Sequence, residues 1–284
     1  MPDWFSPGLF DFSAWLVSLA ALMGFALLGW LISLWRDNVS IVDSMWSLMF
    51  VVALVVYLAT AHSSVTGGAG WRGLLVLSLV SIWAVRLSTY ITWRNHGQPE
   101  DYRYQEIRRN NQPGFRYKSL YIVFGLQGFL AWVICLPTLA AVSGQAPPGP
   151  LDFVAVLLWL TGMAFETIGD AQLARFKARA TNDGKVLNSG LWRYTRHPNY
   201  FGEFLIWWGY FLLAVAAGGA WTIVGPLLMS FLLLRVSGVR LLEKDISDRR
   251  PAYQQYKRST NAFFPWFPQS QGENSQTSEN QETA

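Results

Sequence analysis

Leu9-Phe-Asp-Phe-Ser-Ala-Trp-Leu-Val-Ser-Leu-Ala-Ala-Leu-Met-Gly-Phe-Ala-Leu-Leu-Gly-Trp-Leu-Ile-Ser-Leu-Trp35 contains a single charged residue, Asp11. It exceeds the roughly 20 apolar residues that a helix needs to cross the ~30 Å hydrocarbon core of a bilayer. A cleavable signal would carry a basic leading region and a shorter apolar core, so this stretch reads as a first membrane span. The rest of the chain has the same character. Of 284 residues, 52% are hydrophobic and only 14% charged, too oily a mixture for an ordinary soluble domain, and 15 are Trp, a residue favoured where membrane meets water. Cys135 is the only cysteine, which excludes an internal disulfide and a cysteine-based zinc site.

Outward from the first run, further apolar runs lie near 40–61, 71–93, 118–143, 151–174, 199–217 and 221–240, which predicts an all-α integral membrane protein of about seven transmembrane helices. The sixth run begins with polar Asn199 and Glu203, so a partly re-entrant segment, and a count of six or eight, stays open. Lys and Arg distribution orients the bundle. Arg36, then Arg94, Arg103, Arg108, Arg109, Arg116 and Lys118, then Arg175 through Arg196, then Arg235 through Arg258 fall in alternate connections. The intervening connections, marked by Gly67-Gly68, Pro147-Pro148-Gly149-Pro150 and Gly218-Gly219, contain only Arg72 at their margin. The N-terminus is therefore expected outside and the C-terminus in the cytoplasm. The expected organisation is a transmembrane half over 1–117, on the substrate side, a second domain over 118–268, on the cofactor side, and a disordered tail over 269–284, rich in Gln, Ser, Asn and Glu.

Polar chemistry concentrates between the fifth and sixth runs: Glu166-Thr-Ile-Gly-Asp170-Ala-Gln-Leu-Ala-Arg175-Phe-Lys177, then Ser189-Gly-Leu-Trp192-Arg193-Tyr-Thr-Arg196-His197-Pro198-Asn199-Tyr200-Phe-Gly202-Glu203. Ionisable groups within a span are costly and mark function by default. Glu166 and Asp170, four apart, share a helix face, with Arg175 and Lys177 about a turn beyond. Acids for ribose or amide groups and bases for phosphates suit a polyanionic cofactor; the plainer reading is a salt-bridged helix end with snorkelling cations. Asn199 and Glu203 also share a face, and Pro198 fits a first helical turn. His197, with His62 and His96 as its only fellows, suggests no metal site; a helix-start role is its plainer reading.

The Ser189-Gly-Leu-Trp192 and Arg196-His-Pro-Asn-Tyr-Phe-Gly-Glu203 motifs, with Arg235-Val-Ser-Gly-Val-Arg240-Leu-Leu-Glu243, Tyr253-Gln-Gln-Tyr256 and Phe263-Phe-Pro-Trp266, resemble the C-terminal domain of the steroid 5-alpha-reductase family, to which sterol C14 reductases are related. The first half, with Val42-Asp43-Ser-Met-Trp46 and Gly97-Gln-Pro-Glu-Asp-Tyr-Arg-Tyr104, looks like an uncharacterised prokaryotic branch. The resemblance implies a seven-helix bundle that binds NADPH from the cytoplasmic side and passes hydride to an enone. It implies cofactor contacts at Asp170, Arg175, Lys177, Trp192, Arg196, Asn199, Tyr200, Glu203 and Arg235, with Tyr253 and Tyr256 closing the site; Glu166 and His197, from the same polar segments, are counted with them as candidate cofactor residues. The family's Gln-Glu pair has no convincing counterpart here. Asp43 and Tyr90 are the candidates for the catalytic proton donor, with Glu100 behind them; a helix-start role is equally natural for Asp43. Expected partners are membrane lipids and an apolar small-molecule substrate, not nucleic acid.

The Arg-His-Pro-Asn-Tyr and Gly-Glu pattern also resembles membrane methyltransferases of the isoprenylcysteine carboxyl and phospholipid type, which use S-adenosylmethionine. Those tend to carry paired glutamates near the closing helix, where this chain has Glu243-Lys244. A transporter or scaffold is the third reading. The charges gather at one face rather than at mid-membrane, which disfavours it.

Overall fold

A computed structural model describes residues 10–61, 70–144, 146–236, 239, 243 and 252–269. The turn expected at Gly67-Gly68, most of the closing stretch after Val236 and the tail beyond Gln269 lie outside the described residues. Among those described the regular structure is helical, without strands. We number the helices α1 (Phe12–Arg36), α2 (Ile41–Thr60), α3 (Trp71–Asn95), α4 (Tyr102–Asn110), α5 (Phe115–Ser143), α6 (Pro150–Lys177), α7 (Pro198–Ala216), α8 (Ala220–Val236) and α9 (Ala252–Ser259). Five of them, α1, α2, α3, α5 and α6, are long and apolar enough to cross a membrane. Helix α7 occupies the sixth predicted run, and the shorter apolar α8 falls in the seventh.

Local chemistry sets the helix ends. The Asp11 carboxylate caps α1 by accepting the Ala14 N–H at 3.0 Å. The helix stops at Asp37, whose φ of 46° is left-handed, a conformation that a short polar side chain tolerates. Within α5, residues Leu120–Gly125 form a π-helical turn, and the helix breaks at Cys135 before restarting with Pro137 in its first turn.

The chain divides into two compact units, one formed by the residues up to Val156 with Gly209–Pro226, the other by Leu157–Trp208 with the residues from Leu227 on. In the first unit, the buried face of α1 is Ala14, Ser18, Leu22, Ala26, Gly29 and Ser33, whereas Leu16, Leu27, Leu28 and Leu31 are exposed. Small residues inward and large aliphatics outward is the pattern of a helix whose solvent is lipid. Trp15 and Trp132 clasp α1 to α5: their rings stack at 3.8 Å, and each indole N–H donates to the other's carbonyl, at 3.2 and 2.8 Å. Arg72 and Asp152 join the starts of α3 and α6. Both are buried and meet in two parallel bonds of 2.9 and 3.0 Å, while the guanidinium also donates to the Ala146 carbonyl at 3.0 Å. The one cation among the expected outer connections is thus neutralised within the protein.

A buried ion pair contributes little net stability compared with an apolar pair, but losing one partner strands a charge at a cost of roughly 3–5 kcal/mol. Arg72→Met is therefore expected to lower the melting temperature of the detergent-purified protein sharply. The double variant Arg72→Met/Asp152→Leu should recover a large part of the loss, which a thermal unfolding series of wild type, single and double variants will check.

Candidate functional site

In the second unit, the C-terminal half of α6 packs on the first turns of α7 with backbone against backbone. A Cβ built on Gly202 would lie 2.5 Å from both the Gly162 carbonyl and the Glu166 amide nitrogen, so no side chain fits there. Gly169, seven residues after Gly162, meets Pro198 and the Asn199 amide in the same way, at 3.1 and 3.2 Å. This close approach brings the two polar clusters of the sequence together. Asn199 donates from Nδ2 to the Asp170 carboxylate at 3.1 Å. Glu166, Asp170 and Glu203 are buried, at 3, 4 and 9% exposure. The amide oxygen of Asn199 is buried without a hydrogen-bond partner among the described residues. Pro198 opens α7, as its chemistry predicts.

The segment before α7 docks on α6 through backbone groups. Gln172 accepts the Leu191 N–H at 3.0 Å, and the Trp192 indole donates to the Gly169 carbonyl at 3.0 Å. Gly190 is required in this turn: its φ is +63°, and a Cβ would fall 2.4 Å from the Gln172 amide nitrogen.

A third group centres on Glu243. Arg196 grips its carboxylate with two bonds of 2.7 and 3.0 Å, His197 Nε2 lies 3.0 Å from the same carboxylate, and Tyr253 donates to it at 3.2 Å. The remaining guanidinium nitrogen of Arg196 donates to the Lys257 carbonyl at 3.0 Å and to that of Thr260. The His197 ring stacks on Tyr200, with centroids 5.7 Å apart. The Tyr256 hydroxyl donates to the Trp192 carbonyl. Backbone bonds complete the seam, Arg196 N–H to Asn261 at 2.9 Å and Trp266 N–H to Tyr194 at 2.9 Å. Burial works against the Glu243 charge. The hydrogen bonds from His197 and Arg196, with the guanidinium's charge, outweigh it and hold the carboxyl down at about 2.

The predicted cofactor residues thus fall into two sets. Trp192, Arg196, His197, Tyr253 and Tyr256 form the framework around Glu243 and α6. Buried Glu166, Asp170 and Glu203 form, with half-buried Asn199, an acid and amide row, with Arg175 and Lys177 exposed at the end of α6 and Arg235 exposed near the end of α8, while half-buried Tyr200 stacks on His197. Sequence reasoning missed Glu243, Gln172 and Thr260. The signal for Glu243 was its place as the lone acid between Arg240 and Lys244.

Asp43 and Tyr90 belong to the other unit. Asp43, in the first turn of α2, accepts Arg103 at 2.6 Å and the Tyr104 hydroxyl at 2.5 Å. Burial, then the Asp43 charge, pushes the Tyr104 phenol well above its ordinary range. Tyr90 lies between Arg86 and Arg94, each cation 5.6–5.9 Å from its ring centre. Glu100 binds Arg108 through two bonds of 2.8 and 2.9 Å and accepts the Val39 N–H at 2.9 Å. Among the described residues no group of His, Cys, Asp and Glu could hold a metal ion.

The depressed Glu243 value sets a pH dependence. As pH falls below the ordinary 4.5, the unfolded chain takes up this proton while the native carboxylate stays charged to about 2. Its contribution is complete above 4.5 and lost toward 2. Glu243→Gln should cost about 3–5 kcal/mol at neutral pH, the price of stranding Arg196. Melting temperatures across pH 2–7 should also fall less steeply at the acid end for the variant than for wild type.

Comparison with known proteins places the chain in a family. It is 28% identical to the uncharacterized protein C594.04c of Schizosaccharomyces pombe over 83% of this chain and 75% of that protein. It is 34% identical to human 3-oxo-5-alpha-steroid 4-dehydrogenase 1 over 71 residues, 25% of this chain and 27% of the human one. No solved structure matches at a significant level. Residues 29–260, which take in every helix from late α1 through α9 and all three clusters described above, match the family described as Protein of unknown function (DUF1295), and the chain belongs to that family.

Proposed function

We propose that the protein is a membrane reductase that binds NADPH from the cytoplasmic side and reduces the activated C=C of a lipid-soluble enone, steroid-like or isoprenoid. The observation that carries this reading is Asn199. Its amide nitrogen is committed to Asp170, and its buried oxygen has no hydrogen-bond partner among the described residues, in a row that also holds buried Glu166 and Glu203. A buried acceptor left open is costly unless a ligand satisfies it. The row offers acceptors for ribose hydroxyls and a carboxamide N–H, while Arg175, Lys177 and Arg235 offer charge-assisted donors for phosphates. The partial similarity to a 3-oxo-5-alpha-steroid dehydrogenase supports the same chemistry.

When bound, NADPH supplies a hydride to the enone's β-carbon and leaves as NADP+, and a proton completes the CH–CH product. The protein has to hold the acceptor and stabilise negative charge that develops on the enone oxygen. For the proton donor the proposal is Tyr90 or Asp43. Asp43 accepts from Arg103 and from the Tyr104 hydroxyl, and Tyr90 offers a phenol hydroxyl. The framework around Glu243 acts by fixing the start of α7, and with it Asn199.

The same reading takes α7 and α8 as sixth and seventh spans, with the N-terminus outside, on the strength of the cation distribution. In a Cys135→Ala background, a membrane-impermeant maleimide should label Ala146→Cys on intact cells and Asn188→Cys only after permeabilisation. The reverse pattern would invert the topology.

The cofactor is tested by thermal shift of the detergent-purified protein against NADPH, NADH and S-adenosylmethionine. NADPH at a hundredfold excess over its Kd should stabilise by about 2.7 kcal/mol, and Asn199→Ala and Glu203→Ala should abolish the shift. Stabilisation by S-adenosylmethionine alone would replace the reductase with the methyltransferase reading, and no shift from any of the three would sink both.

A further inference from the structure

Directly after α9 the chain turns three large apolar rings outward: Phe264, Trp266 and Phe267 are 59, 69 and 75% exposed, on a stretch that belongs to no helix. The backbone of this stretch is nonetheless tied down. The Thr195 hydroxyl donates to the Phe263 carbonyl at 2.8 Å, the Trp266 N–H to the Tyr194 carbonyl at 2.9 Å and the Gln269 N–H to the Ser259 carbonyl at 2.9 Å. Phe267 packs edge-on against Tyr194, and Phe264 meets Phe201 and Phe204 of α7 in the same way. A fixed scaffold thus presents the rings. Exposed leucines on α1 have lipid tails to cover them, but this stretch is far too short to span, and a rigid patch of exposed rings marks an interaction surface.

Place and charge identify what covers them. The Leu191 N–H and the Trp192 indole bind Gln172 and Gly169 near the C-terminal end of α6, a helix long and apolar enough to cross a membrane, so the stretch tied to Tyr194 and Thr195 lies at that end of a span. Residues 188–200 and 252–269, which form this seam, contain Arg193, Arg196, Lys257 and Arg258 and no acidic residue. Arg196 and Lys257 face Glu243, whereas Arg193 and Arg258 are exposed. We propose that Phe264, Trp266 and Phe267 are seated in the headgroup layer of the leaflet at the C-terminal end of α6, with Arg193 and Arg258 on anionic lipid headgroups, so that the membrane surface clamps the seam between α9 and the start of α7. Aromatic rings favour the boundary between hydrocarbon and water, and basic side chains beside them are drawn to an anionic leaflet. The inference rests on the membrane fold and is independent of the reductase reading.

The test uses the full-length protein in lipid nanodiscs of phosphatidylcholine with phosphatidylglycerol. In a Cys135→Ala background, an environment-sensitive fluorophore is placed at Trp266→Cys, at Phe267→Cys and, as a water-facing reference, at exposed Asp183→Cys after α6. Both rings point outward, so their replacement should leave the melting temperature unchanged. The probes at 266 and 267 should be blue-shifted, quenched by a spin label high on the lipid acyl chain and shielded from aqueous iodide; the probe at 183 should show the opposite. Arg193→Gln and Arg258→Gln, or nanodiscs without phosphatidylglycerol, should raise the fraction of probe at 267 that iodide reaches by up to about fivefold for each cation, the worth of one basic residue at an anionic surface. Iodide quenching at 266 and 267 equal to that at 183 would overturn the proposal. A blue-shifted probe that neither the lipid label nor iodide reaches would overturn it as well, by placing the rings under protein, and quenching that ignores both the cations and the anionic lipid would remove the headgroup contacts from it.

Discussion

A charge held away from water needs its counter-charge inside the protein, and that constraint organises this structure more than any apolar contact. Apolar side chains are cheap to place in a membrane protein, because lipid tails solvate them as well as a core does. Hence large leucines sit outside α1 and small residues inside. Polar groups have no such latitude. Each buried carboxylate or guanidinium whose partners are known is locked by a specific geometry: Arg72 with Asp152, Arg196 with Glu243. These pairs do little for net stability against an apolar isostere. What they fix is position, since an ion pair with two parallel bonds tolerates neither a slide nor a rotation of the helices that carry it.

The Glu243 cluster shows what that precision serves. Arg196 and His197 immediately precede Pro198, so a carboxylate that holds both sets the direction in which α7 begins. The bonds from Arg196 to the carbonyls of Lys257 and Thr260 tie the same point to the end of α9. Asn199 is the next residue after Pro198 and meets Asp170 only because Gly202 and Gly162 let the helices touch. Three features far apart in sequence thus converge on one amide. Loosening any of them would move Asn199 before it disturbed the apolar packing of the helices.

The helices were legible because their signal is local and additive. The runs predicted from 9, 40, 71, 118, 151, 199 and 221 correspond to helices that begin at Phe12, Ile41, Trp71, Phe115, Pro150, Pro198 and Ala220. The acid and amide row was half legible. Spacing of four put Glu166 with Asp170 and Asn199 with Glu203 on shared faces, but only the contact between α6 and α7 joins Asn199 to Asp170. Glu243 stood out in the sequence only as a lone acid among cations, and not as the centre of a cluster, because Arg196 and His197 lie 47 and 46 residues back along the chain. Asp43 was singled out without its partners for the same reason: Arg103 and Tyr104 approach from 60 and 61 residues away.

The asymmetry between the two halves of the proposed reaction follows from the same physics. A polar, multiply charged cofactor has to be recognised by polar groups, and in an apolar environment such groups are few and stand out as Asp, Asn and Arg in otherwise oily helices. An apolar substrate that arrives through the bilayer is recognised by shape, by alanines, leucines and aromatic rings that differ in no readable way from those that simply fill a helix bundle. The one polar feature such a substrate needs is a donor or acceptor at its carbonyl, and a single tyrosine or aspartate suffices for that. In the proposed reaction the cofactor side would therefore leave a dense motif in the sequence, while the substrate side would reduce to one or two residues among many. Identifying the substrate is a problem of volume and shape, which the polar motifs do not encode.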